Sequence, residues 1–290
     1  MQTVSGRNLV ALVIAAAVLA GCSRPQRPLT VGAKDSTEQA ILAEIVAQHL
    51  EKKLQMTVER QTGMGNTLMA HQALISGQID VYPEYAGAAI AVVLKLEPIP
   101  DADIAQERVK REYVAQHLVW MDPLGFDRKF VMVAGTGDAS KVTTLSEAAQ
   151  YRPGWTLGIG HEFMDRPGGY ATLMRIYNLP VNGPPKIIEF RGTYPALAAR
   201  QVTLVAGNAT DGMLGGAGYK VLRDDRQAFP PDPAALVARA ASLQEHPGMR
   251  EALDQLAGKF PDATMRKLNY EVDGRRRPVA EVAREFLAGL

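Results

Sequence analysis

The stretch from Gly63 to Ala88 constrains the fold of this chain more than any other, because it combines a helix, a strand and the turns that join them. Apolar residues at helical spacing lead to Gly77, which suits a helix C-terminus. Residues 79–82 follow as a short strand that Pro83 should end. Tyr85 then lies at the carboxyl end of a strand, where open α/β sheets bind ligands. A buried tyrosine in a surface turn is an equally good interpretation of the local pattern alone.

Apolar strands and amphipathic helices alternate along the rest of the chain, which is typical of parallel-sheet α/β proteins. Further strands are predicted at residues 29–32, 56–59, 118–121, 130–134, 155–159, 186–189 and 202–206. The 290 residues are enough for two such lobes.

We therefore predict an α/β protein of two lobes, each a mostly parallel sheet flanked by helices. Residues 29–130 and 233–290 should form the first lobe and residues 131–232 the second. The two crossovers between the lobes are placed near Phe130 and Asp232.

The N-terminus indicates export and lipidation. Arg7 precedes an apolar run at 9–20 that is short for a membrane span and leads into Leu-Ala-Gly-Cys. We expect a lipoprotein signal peptide at 1–21, a lipid on Cys22 and a tether at 22–28, which places a bacterial protein at the periplasmic face of a membrane. Cys22 is the only cysteine and has no disulfide partner, which lipidation explains. The alternative is a signal peptide cut elsewhere, with Cys22 discarded.

Composition and missing motifs narrow the possible functions. A formal net charge of +1 gives no support for nucleic-acid binding. The chain lacks a phosphate-binding P-loop, so it does not hydrolyse ATP itself, and it lacks a G-x-S-x-G nucleophile elbow. His161 and Glu162 have no second histidine at zinc-binding spacing. We expect no cofactor, no metal site and no catalytic residues.

Six segments, in order, resemble the glycine betaine/choline/carnitine (osmoprotectant) binding proteins of ABC importers. They span nearly the whole mature chain and read GAKDSTEQAILAEIVAQHLE, GMGNTLMAHQALISGQIDVYPEYAGAA, DPLGFDRKFVMVA, GHEFMDRPGGYATLMRIYNL, ATDGML and KLNYEVD. The resemblance implies the type II periplasmic binding protein fold, in which two lobes close over a ligand. It also implies a small cationic or zwitterionic ligand and, as partner, an ABC permease with a separate ATPase.

The resemblance also implies roles for individual residues. Aromatic faces in this family hold a trimethylammonium group, which has no N–H to donate, and Tyr85 matches such a cage tyrosine. Phe130 stands where the family usually has tyrosine. Arg166 matches the arginine that binds a ligand carboxylate, with assistance from Lys34. Gln39 matches a glutamine of the first loop.

Departures from the family pattern point to a different ligand chemistry. Asn208 and Asp232 stand where aromatic residues are expected, and Ala88 replaces a threonine. Asp232 and Asp211 can supply negative charge to a ligand with N–H donors, such as a guanidinium or an amine. Each of these residues also has a plain structural interpretation: Tyr85 and Phe130 as core aromatics, Arg166 in an ion pair and Asp211 in a turn.

Three alternative functions stay open at this point. The chain can bind an unrelated solute such as a basic amino acid, act as a sensor that does not transport, or use its cleft as an enzyme. The missing nucleophile constellation argues against the enzyme.

Overall fold

The strands form two five-stranded sheets, as a computed structural model of the chain shows. The structure describes residues 28–135, 141–152, 154–189, 192–215 and 218–290. The predicted signal peptide, Cys22 and nearly all of the tether lie outside these ranges. Among the described residues, no helix is both long and apolar enough to cross a membrane.

The first sheet has the strand order β2-β1-β3-β10-β4. Its strands are β1 (Leu29–Gly32), β2 (Val58–Gln61), β3 (Val81–Tyr85), β4 (Leu118–Asp127) and β10 (Pro233–Arg239).

The second sheet has the strand order β7-β6-β8-β5-β9. Its strands are β5 (Phe130–Gly135), β6 (Leu157–Ile159), β7 (Lys186–Ile187), β8 (Leu204–Asn208) and β9 (Tyr219–Leu222).

Both sheets are mixed, and in each of them one strand opposes the other four. Strand β10 is antiparallel to β3 and β4, and β5 is antiparallel to β8 and β9. The other pairs are parallel. The prediction of mostly parallel sheets is confirmed, because four of the five strands in each sheet run in the same direction. Half of the strand pairs are nevertheless antiparallel, because the opposed strand has two neighbours in each sheet.

Helices flank both sheets. They are α1 (Thr37–Leu54), α2 (Thr67–Ser76), α3 (Ala86–Ala88), α4 (Ala102–Val114), α5 (Leu145–Ala148), α6 (His161–Asp165), α7 (Tyr170–Tyr177), α8 (Thr193–Ala198), α9 (Ala240–Glu245), α10 (Met249–Asp254), α11 (Asp262–Asp273) and α12 (Val279–Ala288). A π-helical turn (Ala89–Val93) continues α3, and a 3-10 turn (Gly212–Gly215) follows β8.

Side-chain caps fix where the first two helices begin. The Ser36 hydroxyl accepts a hydrogen bond from the Gln39 backbone N–H at the start of α1. The Asn66 side chain does the same for α2, and Gly77 ends that helix with a φ of 77°. These caps hold the loops that follow β1 and β2, and both loops line the cleft.

Pro83 does not end its strand, contrary to the expectation from sequence. It lies inside β3 and pairs with Leu236 of β10. On the other side of β3, strand β1 pairs only at Val31–Val81. Because no neighbour on that side needs a donor at position 83, the missing N–H of proline does not interrupt the sheet.

The chain passes from the first sheet to the second between Asp127 and Phe130, and it returns between Leu222 and Pro233. Each sheet packs its own hydrophobic core, with Tyr85 in the first and Trp155 in the second. The predicted end points of each lobe stay a prediction.

The two halves of the molecule touch where the 3-10 turn meets α11. A Cβ atom added to Gly212 would lie 2.4 Å from the backbone nitrogen of Tyr270. This close approach requires glycine and brings the end of β8 against a helix of the first core.

Candidate functional site

A cleft between the two sheets contains three adjoining cavities. The main cavity, of about 570 Å³, is lined by residues of both halves, including Lys34, Gln39, Tyr85, Arg128, Glu162 and Arg166. The side cavity, of about 280 Å³, is lined among others by Glu38, Arg128, Asn208, Asp211, Asn269 and Asp273. The third, of about 410 Å³, includes Phe130, His161, Phe163 and Asn208. Volumes of this order suit a small ligand.

Tyr85 ends β3 and lies at the wall of the main cavity with 1% of its surface exposed. Its hydroxyl donates to Glu38 Oε1 at 2.6 Å. Burial and the Glu38 carboxylate raise the pKa of Tyr85 well above its ordinary value, so the ring stays neutral. Two cations of the protein lie near the ring centroid, Lys34 Nζ at 4.4 Å and Arg128 Cζ at 4.6 Å. Two side chains of the protein itself therefore occupy the cation–π position that was predicted for a ligand cation.

Lys34 is held by the first half of the molecule. Its ammonium forms a salt bridge with the fully buried Glu84 and donates to Thr67 Oγ1 at 3.2 Å. Its backbone N–H donates to Gln39 Oε1 at 3.3 Å. A ligand carboxylate that binds Lys34 must therefore compete with Glu84.

Arg128, which sequence reasoning missed, is the cation at the centre of the cleft. It lies between β4 and β5, on the first crossover, and its guanidinium donates to both carboxylate oxygens of Glu162 at 3.2 and 3.1 Å. Glu38 and Asp232 lie 4.0 Å from it. A charged residue at a predicted crossover was the signal that could have identified it.

Arg166 follows α6 and is buried in an ion-pair network. Its Nη1 donates to Asp232 Oδ2 at 2.8 Å and to Glu162 Oε1 at 3.3 Å. Its guanidinium carbon also lies 5.2 Å from the ring centroid of Phe130. The predicted carboxylate-binding arginine thus faces the main cavity, but it already holds protein carboxylates.

Asp232 supports the crossover rather than lining the cleft. Its Oδ1 accepts from the Ala88 backbone N–H at 3.0 Å, and its own N–H donates to Asp127 Oδ1 at 2.7 Å. It lines none of the three cavities in the described part of the chain.

Phe130 begins β5 and belongs to an aromatic cluster. Its ring meets those of Phe163 and Phe229 edge to face, with centroids 5.0 and 6.4 Å apart. In the sheet it pairs with Asn208, so both side chains reach the third cavity.

Asp211 organises the loop after β8. Its Oδ2 accepts from the Tyr194 hydroxyl at 2.7 Å and from the Asn208 backbone N–H at 2.8 Å. Burial raises the pKa of Asp211 to about 6, against the lowering effect of these hydrogen bonds and of Arg128, and Glu38 adds to the rise.

The cleft brings together most of the residues predicted from sequence. Lys34, Gln39, Tyr85 and Arg166 share the main cavity, whereas Asn208 and Asp211 share the side cavity. The residues that sequence reasoning missed are Glu38, Arg128, Glu162 and Asn269.

Comparison with known proteins identifies the family. Residues 27–289 match the substrate binding domain of the ABC-type glycine betaine transport system. The chain belongs to this family. Its members are substrate-binding components of importers and not enzymes.

Relatives along the whole chain agree with this assignment. The carnitine transport binding protein of Listeria monocytogenes is 30% identical over 297 residues, which cover 96% of this chain and 94% of that protein. The glycine-betaine-binding protein of Pseudomonas aeruginosa is 34% identical over 274 residues, covering 89% and 86%. An ergothioneine transport permease/ergothioneine binding protein of Helicobacter pylori is 30% identical over 91% of this chain and 48% of that protein.

Solved structures show the same architecture. A glycine betaine/carnitine/choline ABC transporter protein superposes with a TM-score of 0.79 at 27% identity, over 90% of this chain and 98% of that one. Apo YehZ from Escherichia coli gives a TM-score of 0.70 at 25% identity, over 90% and 98%. The fold is that of the type II periplasmic binding proteins, as the resemblance implied.

The raised pKa of Asp211 predicts a pH-dependent stability. The folded state binds a proton at this carboxyl more readily than the unfolded state. The contribution of this proton to the free energy of unfolding is therefore present at low pH and is lost as the pH rises through about 6. Relative to Asp211→Asn, the free energy of unfolding of the wild type should rise by on the order of 1–3 kcal/mol as the pH falls from about 7 to about 4.

Urea unfolding of both proteins across this pH range measures the difference. Asp122→Asn, at a side chain that is 68% exposed, is the control and should run parallel to the wild type. A constant difference between the wild type and Asp211→Asn would show that Asp211 is not perturbed.

Proposed function

We propose that this chain is the lipid-anchored receptor of an ABC importer and that it binds a small cationic or zwitterionic solute in the cleft. One observation carries the proposal: Tyr85 and Arg166, from different halves of the molecule, line the same cavity between the two sheets. An aromatic face and an arginine are the groups that a cationic nitrogen and a carboxylate require.

The names of the relatives support this ligand class. The three relatives take their names from carnitine, glycine betaine and ergothioneine. Each of these solutes combines a quaternary ammonium group with a carboxylate. A betaine-type zwitterion is therefore the first ligand to test for this chain.

Binding requires an exchange of ion pairs. The cations that a ligand carboxylate would approach, Lys34, Arg128 and Arg166, already hold Glu84, Glu162 and Asp232. The ligand therefore gains only the difference between its own contacts and those that it replaces. Because it touches both halves, it favours the closed arrangement by its differential affinity for that state. The closed form would then dock on the permease, whose separate ATPase drives import.

Arg166→Ala tests the carboxylate site. Charged hydrogen bonds contribute about 1.5–3 kcal/mol, so the Kd for glycine betaine or carnitine should rise by about 10- to 100-fold. Choline, which has no carboxylate, should bind with little change. Isothermal titration calorimetry of the mature chain measures both.

Two further variants separate binding from folding. Arg166→Ala leaves the buried Asp232 unpaired, so the double variant Arg166→Ala/Asp232→Asn removes the stranded charge. Arg111→Ala, at an exposed arginine of α4, is the control for charge loss away from the cleft. An unchanged affinity for glycine betaine in Arg166→Ala would reject this role, and a wild type that binds no betaine, amine or guanidino solute would reject the proposal itself.

The lipid anchor has its own test. In bacterial cells that express the full chain, the wild type should incorporate labelled palmitate and yield a mature N-terminus at Cys22, whereas Cys22→Ala should carry no label. Ser23→Ala is the matched control and should be labelled like the wild type. Label on the Cys22→Ala protein, or a mature wild-type N-terminus elsewhere, would exclude the anchor.

A further inference from the structure

The side cavity contains two buried acceptor oxygens without a partner. Asn208 and Asn269 are 5% and 4% exposed, and the Oδ1 atom of each has no hydrogen-bond partner among the described residues. An unsatisfied buried acceptor destabilises the folded protein, so two of them in one cavity call for a donor that enters it.

The hydrogen-bond pattern fixes the orientation of both amides. Asn269 Nδ2 donates to Glu38 Oε2 at 2.9 Å and to the Thr210 carbonyl at 2.8 Å. Asn208 Nδ2 donates to Asp211 Oδ1 at 3.4 Å. Flipping either amide would place oxygen against oxygen, so the free atoms are acceptors.

The two oxygens come from opposite sides of the cleft. Asn208 ends β8 of the second sheet, whereas Asn269 lies on α11, whose Met265 packs in the core of the first sheet. A group that donates to both therefore bridges the two halves of the molecule and links occupancy of the cavity to closure.

Charge in the side cavity favours a cation. Three carboxylates line it (Glu38, Asp211 and Asp273) against two guanidinium groups (Arg128 and Arg276). Glu38 and Asp211 are both buried. The volume of about 280 Å³ is large enough to admit an ammonium or guanidinium group.

A trimethylammonium group does not fit this pattern, because it has no N–H to donate to the two oxygens. The ring that would hold such a group, Tyr85, already has Lys34 Nζ and Arg128 Cζ within 4.6 Å of its centroid. Arg128 lines both the main and the side cavity, and it can meet a carboxylate next to the cationic group.

We infer that the side cavity receives the cationic end of a zwitterion, a primary ammonium or guanidinium group that donates N–H bonds to Asn208 Oδ1 and Asn269 Oδ1. The ligand carboxylate lies in the main cavity, which Arg128 and Arg166 both line. This inference rests on the proposed function and narrows its ligand class from small cationic or zwitterionic solutes to amino acids and guanidino acids.

The test uses solutes that differ only in N-methylation. The Kd of the wild type is measured by calorimetry for γ-aminobutyrate and γ-butyrobetaine, and for arginine as the guanidinium probe. The amine or the guanidinium should bind at least about 10-fold more tightly than the trimethylated solute, as expected from one charged hydrogen bond.

Asn208→Leu removes the Oδ1 acceptor. Within the described part of the chain, the one side-chain hydrogen bond lost with it is the long bond from Nδ2 to Asp211. It should abolish the preference for the amine, while the unfolding temperature of the ligand-free protein should not fall, because an unsatisfied oxygen is lost. A merely structural role would lower that temperature. Asn208→Ala, which removes the same atom without adding volume, serves if the leucine variant does not fold.

The outcomes separate this inference from the proposed function. If trimethylated solutes bind as tightly as the amines and both Asn208 variants keep that ratio, the oxygens are satisfied by water and the inference fails, although the receptor function stands. If no solute of either series binds, both fail.

Discussion

The cleft depends on one buried cation, the guanidinium of Arg128. It lies on the crossover between the sheets, pairs with Glu162 of the second half and approaches Glu38 of the first. The guanidinium also lies next to the Tyr85 ring, so Tyr85 belongs to the same network. A buried charge is tolerated only when it is paired, so the carboxylates around it must stay within reach. Arg128 therefore sets the relative position of α1, α6 and the end of β3.

This network determines which contacts a ligand must replace in order to bind. In an open cavity, an aromatic face and an arginine would bind a betaine directly. Here the ring has internal cations beside it, and Arg166 holds Asp232. Binding then replaces ion pairs within the protein by contacts to the ligand. Selectivity comes from polar groups that have no hydrogen-bond partner before the ligand binds. The free oxygens of Asn208 and Asn269 are such groups. The family determines the mode of action, and we propose that these side chains determine which solute binds.

Local signals in the sequence predicted the architecture well. The alternation of strands and helices and the glycine at position 77 depend on residues close in the chain. The placement of Tyr85 at a strand end also followed from local pattern. The site chemistry did not, because it joins distant residues: Glu38 meets Asn269 across 231 positions and Arg166 meets Asp232 across 66. Pro83 was misjudged because its tolerance depends on where β1 stops pairing.

Small-angle X-ray scattering of the ligand-free wild type and of Arg128→Ala tests the central role of this guanidinium most directly. Without the cation, Glu38 and Glu162 repel each other and the link between the two halves is lost. We expect a larger radius of gyration for the variant, with unchanged secondary structure by circular dichroism. An identical radius of gyration for the two folded, ligand-free proteins would contradict it.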